Sequence, residues 1–211
     1  MDNTAKAVAL FDKLANVYQD KFMDTAIYHE TFNLFCDLVN QPGADILELA
    51  CGPGNITRYL LNKRPDFKIL GTDLAPNMLT LAGINNPEAE FELMDCREIN
   101  NLSTKYDGIM CGFCLPYLSK AEAVQLIQDA STLLLPNGVL YISTMEDDYS
   151  TSGEQTSSSG EKIYIYYHEA GYLTESLTSS GFEIKDLQRI QYSGKDGTTI
   201  TDLVIIAVSG L

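Results

Sequence analysis

The stretch that most constrains this chain is Ile46-Leu47-Glu48-Leu49-Ala50, followed at once by Cys51-Gly52-Pro53-Gly54-Asn55. A short apolar run, too brief for a buried helix, ends in a glycine loop, and Asn55 to Leu61 then reads as a helix with Asn55 as its N-cap. Strand, glycine loop and helix in that order commit the chain to a parallel sheet, because parallel strands can be joined only by a crossover. The alternation continues: a strand over 67–73, a helix from Ala75 to Ala82 with Pro76 in its first turn, and strands over 89–94 and 106–112. A helix over 119–134 follows, with Ser119 and Glu122 spaced as a capping box. The turn Pro136-Asn137-Gly138 then leads into a strand over 139–143. Such a rhythm predicts helices on both faces of the sheet and right-handed crossovers.

The flanks differ. Residues 5–39 have helical periodicity in two sets, Val8-Phe11-Leu14-Ala15-Tyr18 and Ile27-Thr31-Leu34-Phe35-Leu38, broken at Gln41–Asp45. Between Glu146 and Lys162, serine, threonine and glycine supply nine of seventeen residues, which predicts a mobile loop. Ile163 to His168 alternates like a strand, Leu173 to Ser179 is a short helix stopped by Gly181, and strands over 182–192 and 199–208 form a hairpin around Ser193-Gly194-Lys195-Asp196-Gly197.

Charge narrows the partners. The 211 residues carry 14 basic and 29 acidic side chains, a net charge of −15. Binding to nucleic acid and to anionic membranes depends on clustered Lys and Arg, and none occurs here, so neither partner is expected. No apolar run reaches the roughly 18 residues of a membrane span. The start, Met1-Asp2-Asn3-Thr4, lacks the basic and apolar segments of a secretory signal. Five scattered cysteines, an odd number, point to a reducing cytoplasmic setting. No His and Cys set has zinc spacing.

A glycine loop between strand and helix is where an open α/β sheet binds nucleotide-like ligands, and an acid about 20 residues later binds the ribose. Asp73 follows Gly54 by 19 positions. A dinucleotide loop needs a third glycine where this chain has Thr57, and Glu48 would repel a pyrophosphate held at the helix N-terminus. S-adenosylmethionine (SAM) has no phosphate and carries a sulfonium and an ammonium, so acids beside the loop suit it. An NAD(P)-dependent reductase is the weaker alternative.

Glu48-Leu49-Ala50-Cys51-Gly52-Pro53-Gly54-Asn55 resembles the first motif of class I SAM-dependent methyltransferases, and Asp73-Leu74-Ala75-Pro76-Asn77-Met78 resembles the second. Met94-Asp95-Cys96, Tyr106 to Met110 and Leu135-Pro136-Asn137-Gly138-Val139-Leu140 resemble the third motif, the fourth strand and the turn before the fifth. Ala50 and Asn137 stand where glycines are usual in the family. The resemblance spans about residues 40–210. It implies a doubly wound, Rossmann-like α/β fold: a seven-stranded, mostly parallel sheet with a C-terminal antiparallel hairpin and N-terminal capping helices. A helical cap over 1–40 then covers a SAM-binding domain over 41–211, with a mobile, substrate-side insertion at about 146–170.

On the same resemblance, Asp73 binds the ribose hydroxyls, Asp95 the adenine amino group, and Cys96 contacts the ring through its backbone. Ala50, Cys51, Gly52, Gly54, Asn55, Leu74 and Cys111 are further expected cofactor-binding residues. Glu48 either hydrogen-bonds the loop amides or approaches the SAM ammonium. Met78 either touches the adenine or is core, and Tyr18 either lies over the SAM carboxylate or packs between helices. Cys111-Gly112-Phe113-Cys114 has redox-motif spacing but follows the fourth strand, so its backbone is expected to wall the site. Phe113, Tyr117, Tyr166 and His168 are the expected substrate lining, and His29, His168 and Tyr28 the candidate bases. The implied reaction moves a methyl group from SAM to a small-molecule acceptor and leaves S-adenosylhomocysteine (SAH). A non-catalytic SAM sensor or partner subunit is the alternative.

Overall fold

A computed structural model describes residues 3–156, 160–194 and 197–210. Its centre is a seven-stranded sheet whose strands lie side by side in the order Glu90–Leu93, Lys68–Asp73, Asp45–Leu49, Tyr106–Cys111, Leu134–Met145, Thr199–Ser209 and Phe182–Ser193. Strands β1 (Asp45–Leu49), β2 (Lys68–Asp73), β3 (Glu90–Leu93), β4 (Tyr106–Cys111) and β5 (Leu134–Met145) run parallel. β8 (Phe182–Ser193) and β9 (Thr199–Ser209) close the sheet as an antiparallel hairpin, β9 pairing with β5. Of the turn between them, Lys195 and Asp196 lie outside the described residues, as do Met1 and Asp2 at the start of the chain.

Seven helices, among the described residues, surround this sheet. α1 (Asn3–Lys13), α2 (Ala15–Phe22) and α3 (His29–Leu38) come first. The crossovers follow as α4 (Asn55–Lys63), α5 (Pro76–Asn85) and α6 (Lys120–Leu133), and α7 (Ala170–Ser179) precedes β8. Both faces of the central strands are buried, which is why β1 reads as a continuous apolar run rather than an alternation. On one face Leu47, Leu49, Ile109 and Ile142 meet Leu126, Ile127 and Leu177 from α6 and α7. On the other, Ile46, Met110, Tyr141 and Ile206 meet Phe32 and Phe35 of α3 and Leu60 of α4.

Local chemistry sets several boundaries. Ser119 and Glu122 form a complete capping box at the start of α6. The N-cap of α4 is Gly54 in the left-handed region (φ 77°), not Asn55. The Asn55 amide instead donates to the Phe22 carbonyl (2.8 Å) and ties the loop to α2. Pro136-Asn137-Gly138 is no free turn. It is an irregularity inside β5, where the register with β4 shifts and Asn137 takes φ 63°.

The expected mobile loop after Glu146 is largely structured. β6 (Gly153–Thr156) and β7 (Lys162–Ile165) pair as an antiparallel ribbon, preceded by a short 3-10 turn at Tyr149–Thr151. Ser157, Ser158 and Ser159 lie outside the described residues. Composition misjudged this segment because its ribbon is held by docking: the Tyr166 N–H donates to the Pro116 carbonyl (2.8 Å) and Tyr167 to Ser152 (3.0 Å).

Gly108 shows how closely α3 lies on β4. A Cβ there would sit 2.8 Å from Phe35 Cζ and 3.0 Å from Ile46 Cδ1, whereas one on Gly83 in α5 meets nothing within 4 Å. Gly108→Ala is therefore expected to destabilise the fold by about 1–3 kcal/mol through overpacking. Gly83→Ala is expected to stabilise it by up to about 1 kcal/mol through helix propensity. Urea unfolding midpoints of the two variants check both signs.

Candidate active site

The parallel strands end along one edge of the sheet, and the glycine loop occupies it. The chain turns at Ala50 (φ 51°), Gly52 (φ 54°) and Gly54 (φ 77°), three left-handed residues in five. Of the three, only Ala50 bears a side chain, and it carries the cost of about 1–2 kcal/mol that the left-handed region imposes on an L residue. Gly54 needs its hydrogen, because a Cβ would collide with the Asn86 amide, which donates to the Gly54 carbonyl (2.9 Å).

Asp73 closes β2 beside this loop. Its Oδ2 accepts from the Gly52 N–H (2.9 Å) and its Oδ1 from the Ala75 N–H (2.8 Å). Burial raises its pKa, and these backbone bonds oppose the rise. The loop amide that would face a pyrophosphate is thus already committed to a carboxylate. The site fits a ligand with hydroxyls rather than phosphates here.

A cavity of about 740 Å³, its open mouth included, lies along this edge. Tyr18, Ala50, Gly52, Asp73, Leu74, Met78, Asp95 and Cys96 all reach it, as do Phe113 and Tyr117. Tyr18 is half-buried, and burial of its hydroxyl together with the Asp73 charge pushes it up to about 12. Met78 lines the cavity and also packs with Ala15 and Ala75.

Other expected cofactor residues stand behind the wall. Cys51, Gly54, Asn55 and Cys111 shape the loop and strand end without lining the cavity. Cys111 is fully buried with its Sγ 2.7 Å from that of Cys114, and it is Cys114 that lines the site. Glu48 is buried as well. Its Oε2 accepts from Thr57 Oγ1 (2.6 Å) and its Oε1 has no partner. Burial pushes this carboxyl up to about 8, with the Thr57 bond opposing. Thr57, the residue that breaks the dinucleotide pattern, is therefore the partner that Glu48 requires.

Four expected acceptor-side residues do not line the cavity. His168 is fully buried, with one ring nitrogen on the Leu115 carbonyl (2.8 Å) and the other on the Tyr172 hydroxyl. Burial lowers its pKa, and it holds the segment after β7 against the sheet. Tyr166 is tied to Asn3 (3.3 Å) and packs beside Tyr164. His29 lies on the ring of Tyr59 (centroids 4.3 Å apart). Tyr28 borders the site indirectly, its ring 5.2 Å from that of Phe113.

An N-terminal helical cap over 1–40 was expected, without its individual roof residues. Thr4, Ala7, Val8 and Phe11, all on α1, complete the cavity, and their helical spacing was legible only as an apolar face. Two polar ties hold α1 there. Asp12 accepts from the Asn77 N–H (2.8 Å) at the start of α5. Arg97 binds Asp95 (2.6 Å), Glu122 (3.1 Å) and Thr4 (3.5 Å). The Asp95-x-Arg97 spacing was the available signal for the second tie.

Residues 46–138 match the family model of a methyltransferase domain. A trans-aconitate 2-methyltransferase of Variovorax paradoxus is 37% identical over 99 residues, covering 47% of this chain and 38% of that relative. The chain thus spans well under two thirds of the relative's length. Among solved structures, a DhpI–SAH complex aligns with TM-score 0.76 at 19% identity, covering 98% of this chain and 97% of that one. Magnesium protoporphyrin IX methyltransferase from Synechocystis PCC 6803, with bound SAM, aligns with TM-score 0.73 at 17% identity over 99% and 98%. Both likenesses establish a shared fold.

Glu48 gives the site a pH signature. A carboxyl raised from 4.5 to about 8 on folding favours the protonated form in the fold. Its contribution is complete below the unfolded value and is lost as pH rises through about 8. Glu48→Gln is expected to flatten this fall in stability between these limits, as read from urea midpoints across the pH range.

Proposed function

We propose, from the premise that residues 46–138 form a domain of the methyltransferase family, that this protein binds SAM and transfers its methyl group to a small-molecule acceptor. The observation that carries this reading is Asp73, which occupies the loop amide of Gly52 yet still lines the cavity. A carboxylate with spare lone pairs pairs with two ribose hydroxyls and excludes a phosphate. Leu74, Met78 and Met94 offer the apolar faces that a purine needs, and Asp95 with the Cys96 N–H would read its polar edge. Ala50 and Gly52 would hold the methionine end beneath Tyr18.

When bound, SAM supplies an electrophilic methyl on a sulfonium, a good leaving group in itself. The chain has to orient an acceptor in line with that methyl and keep water out. The roof of Val8 and Phe11, with Phe113 and Tyr117, supports an apolar enclosure for a small acceptor, and we assign residues 1–40 to a cap over a cofactor domain at 41–211. The name of the Variovorax relative supports a small-molecule substrate, and the net charge of −15 argues against nucleic acid. Among the described residues no helix is long and apolar enough to cross a membrane. Five free cysteines support a reducing, cytoplasmic setting.

Calorimetric titration with SAM, SAH and NADPH tests this. SAM and SAH should bind and NADPH should not. Asp73→Ala should weaken SAM at least tenfold, about 1.4 kcal/mol. Binding of NADPH with no response to SAM would overturn the assignment.

A further inference from the structure

A second buried acid lies on the reactive edge of the sheet, outside the cofactor cavity. Asp202 on β9 pairs with Met145 at the end of β5, level with the ends of the parallel strands, and it is fully buried. The Tyr28 hydroxyl donates to its Oδ2 (2.5 Å). Tyr192 approaches from β8 and favours the ionised form, yet Oδ1 keeps no partner in hydrogen-bond geometry. A buried carboxylate oxygen left unpaired forfeits its hydration for nothing within the fold, so its retention asks for a use.

Tyr28 connects this acid to the site. It is half-buried, and its ring packs on Phe113, a lining residue of the cavity. Phe113 is held in the left-handed region (φ 58°), a strained conformation for an aromatic residue, with its N–H on Ser143 Oγ (3.0 Å). One ring thus separates the Tyr28–Asp202 pair from the cofactor cavity, on the α3 face of the sheet.

We infer that Tyr28 and Asp202 are the proton-accepting pair for the methyl acceptor, and that the acceptor carries a hydroxyl or amine hydrogen. The inference rests on the methyltransferase reading above. In the step, the acceptor heteroatom forms a bond to the methyl carbon. The carbon–sulfur bond breaks, and its electron pair stays on sulfur. The acceptor's proton passes to the Tyr28 oxygen as Tyr28 gives its own proton to Asp202. With the Phe113 ring swung aside from between them, Tyr28 meets the acceptor, and Asp202 acts through it as a positioning and proton-storing residue. A carboxylate acceptor has no such proton to give and would set its charge against that of Asp202.

Burial raises the pKa of Asp202. The titratable groups facing it are Tyr28, Tyr192 from β8 and Tyr141 from β5. Arg189 and Glu146 pair with each other (2.6 Å), and strand alternation puts both on the opposite face. A donor held by the ionised pair should therefore be released as pH falls through the raised value.

The test uses the full chain loaded with SAH and titrated with phenol, benzylamine and benzoate, followed by NMR of labelled backbone amides. Phenol or benzylamine should shift the amides of Tyr28, Phe113 and Asp202, and benzoate should not. Asp202→Asn, and separately Tyr28→Phe, should weaken the donor probe at least fivefold while SAH affinity stays within twofold. Acid should release the donor from the unsubstituted protein, and the Asn variant should show no such dependence. Benzoate binding as well as both donors, donors that move none of these amides, or variants that keep donor affinity would each overturn the pair. Failure of SAH to bind would overturn the methyltransferase reading instead, and the same titrations on the unloaded protein would still decide the pair.

Discussion

The two backbone bonds accepted by Asp73 join the three pieces on which the site depends. Through them one carboxylate ties the end of β2 to the glycine loop after β1 and to the first turn of α5. Each bond to an ionised acceptor is worth more than a neutral one, and both lie in a partly buried position where water competes poorly. Without them the loop would have three left-handed residues and no partner for the Gly52 amide. With them, the loop is rigid and its charge is already of the sign that a cationic, phosphate-free ligand requires.

A second layer of polar ties holds the roof. α1 has no extensive core of its own, and only Thr4 and Ala7 are buried in it. It is kept over the cavity by Asp12 at the start of α5 and by the Arg97 hub, which gathers Asp95, Glu122 and Thr4. Asp95 is consequently half-neutralised by Arg97, so of the three acids around the loop only Asp73 presents an unpaired charge to the cavity. Glu48 is largely protonated below pH 8 and supports the loop from behind through Thr57. The acidity that first pointed to a cationic ligand thus resolves into three separate tasks.

Much of this was readable from residue order. Parallel strands, their glycine loop, the capping box of α6 and the closing hairpin each depend on neighbours within a few positions, so local pattern sufficed. The ribbon of β6 and β7 was not readable, because its stability comes from contacts with residues such as Pro116, far away in the chain. His168 misled for the same reason. A histidine at the end of a strand is chemically able to serve as a base, but both of its nitrogens are taken by Leu115 and Tyr172.

By itself, then, the sequence determined the layered α/β architecture and the sheet edge that carries the candidate site, since hydrophobic period, glycine placement and acid spacing act over short separations. Only the tertiary structure decided which acid faces the cavity, which helix roofs it and which tyrosine borders it. Those outcomes turn on burial and on partners as far as 174 positions apart, as Tyr28 is from Asp202. Burial decides the charge state of a carboxyl, and no local pattern encodes how deep a residue will lie.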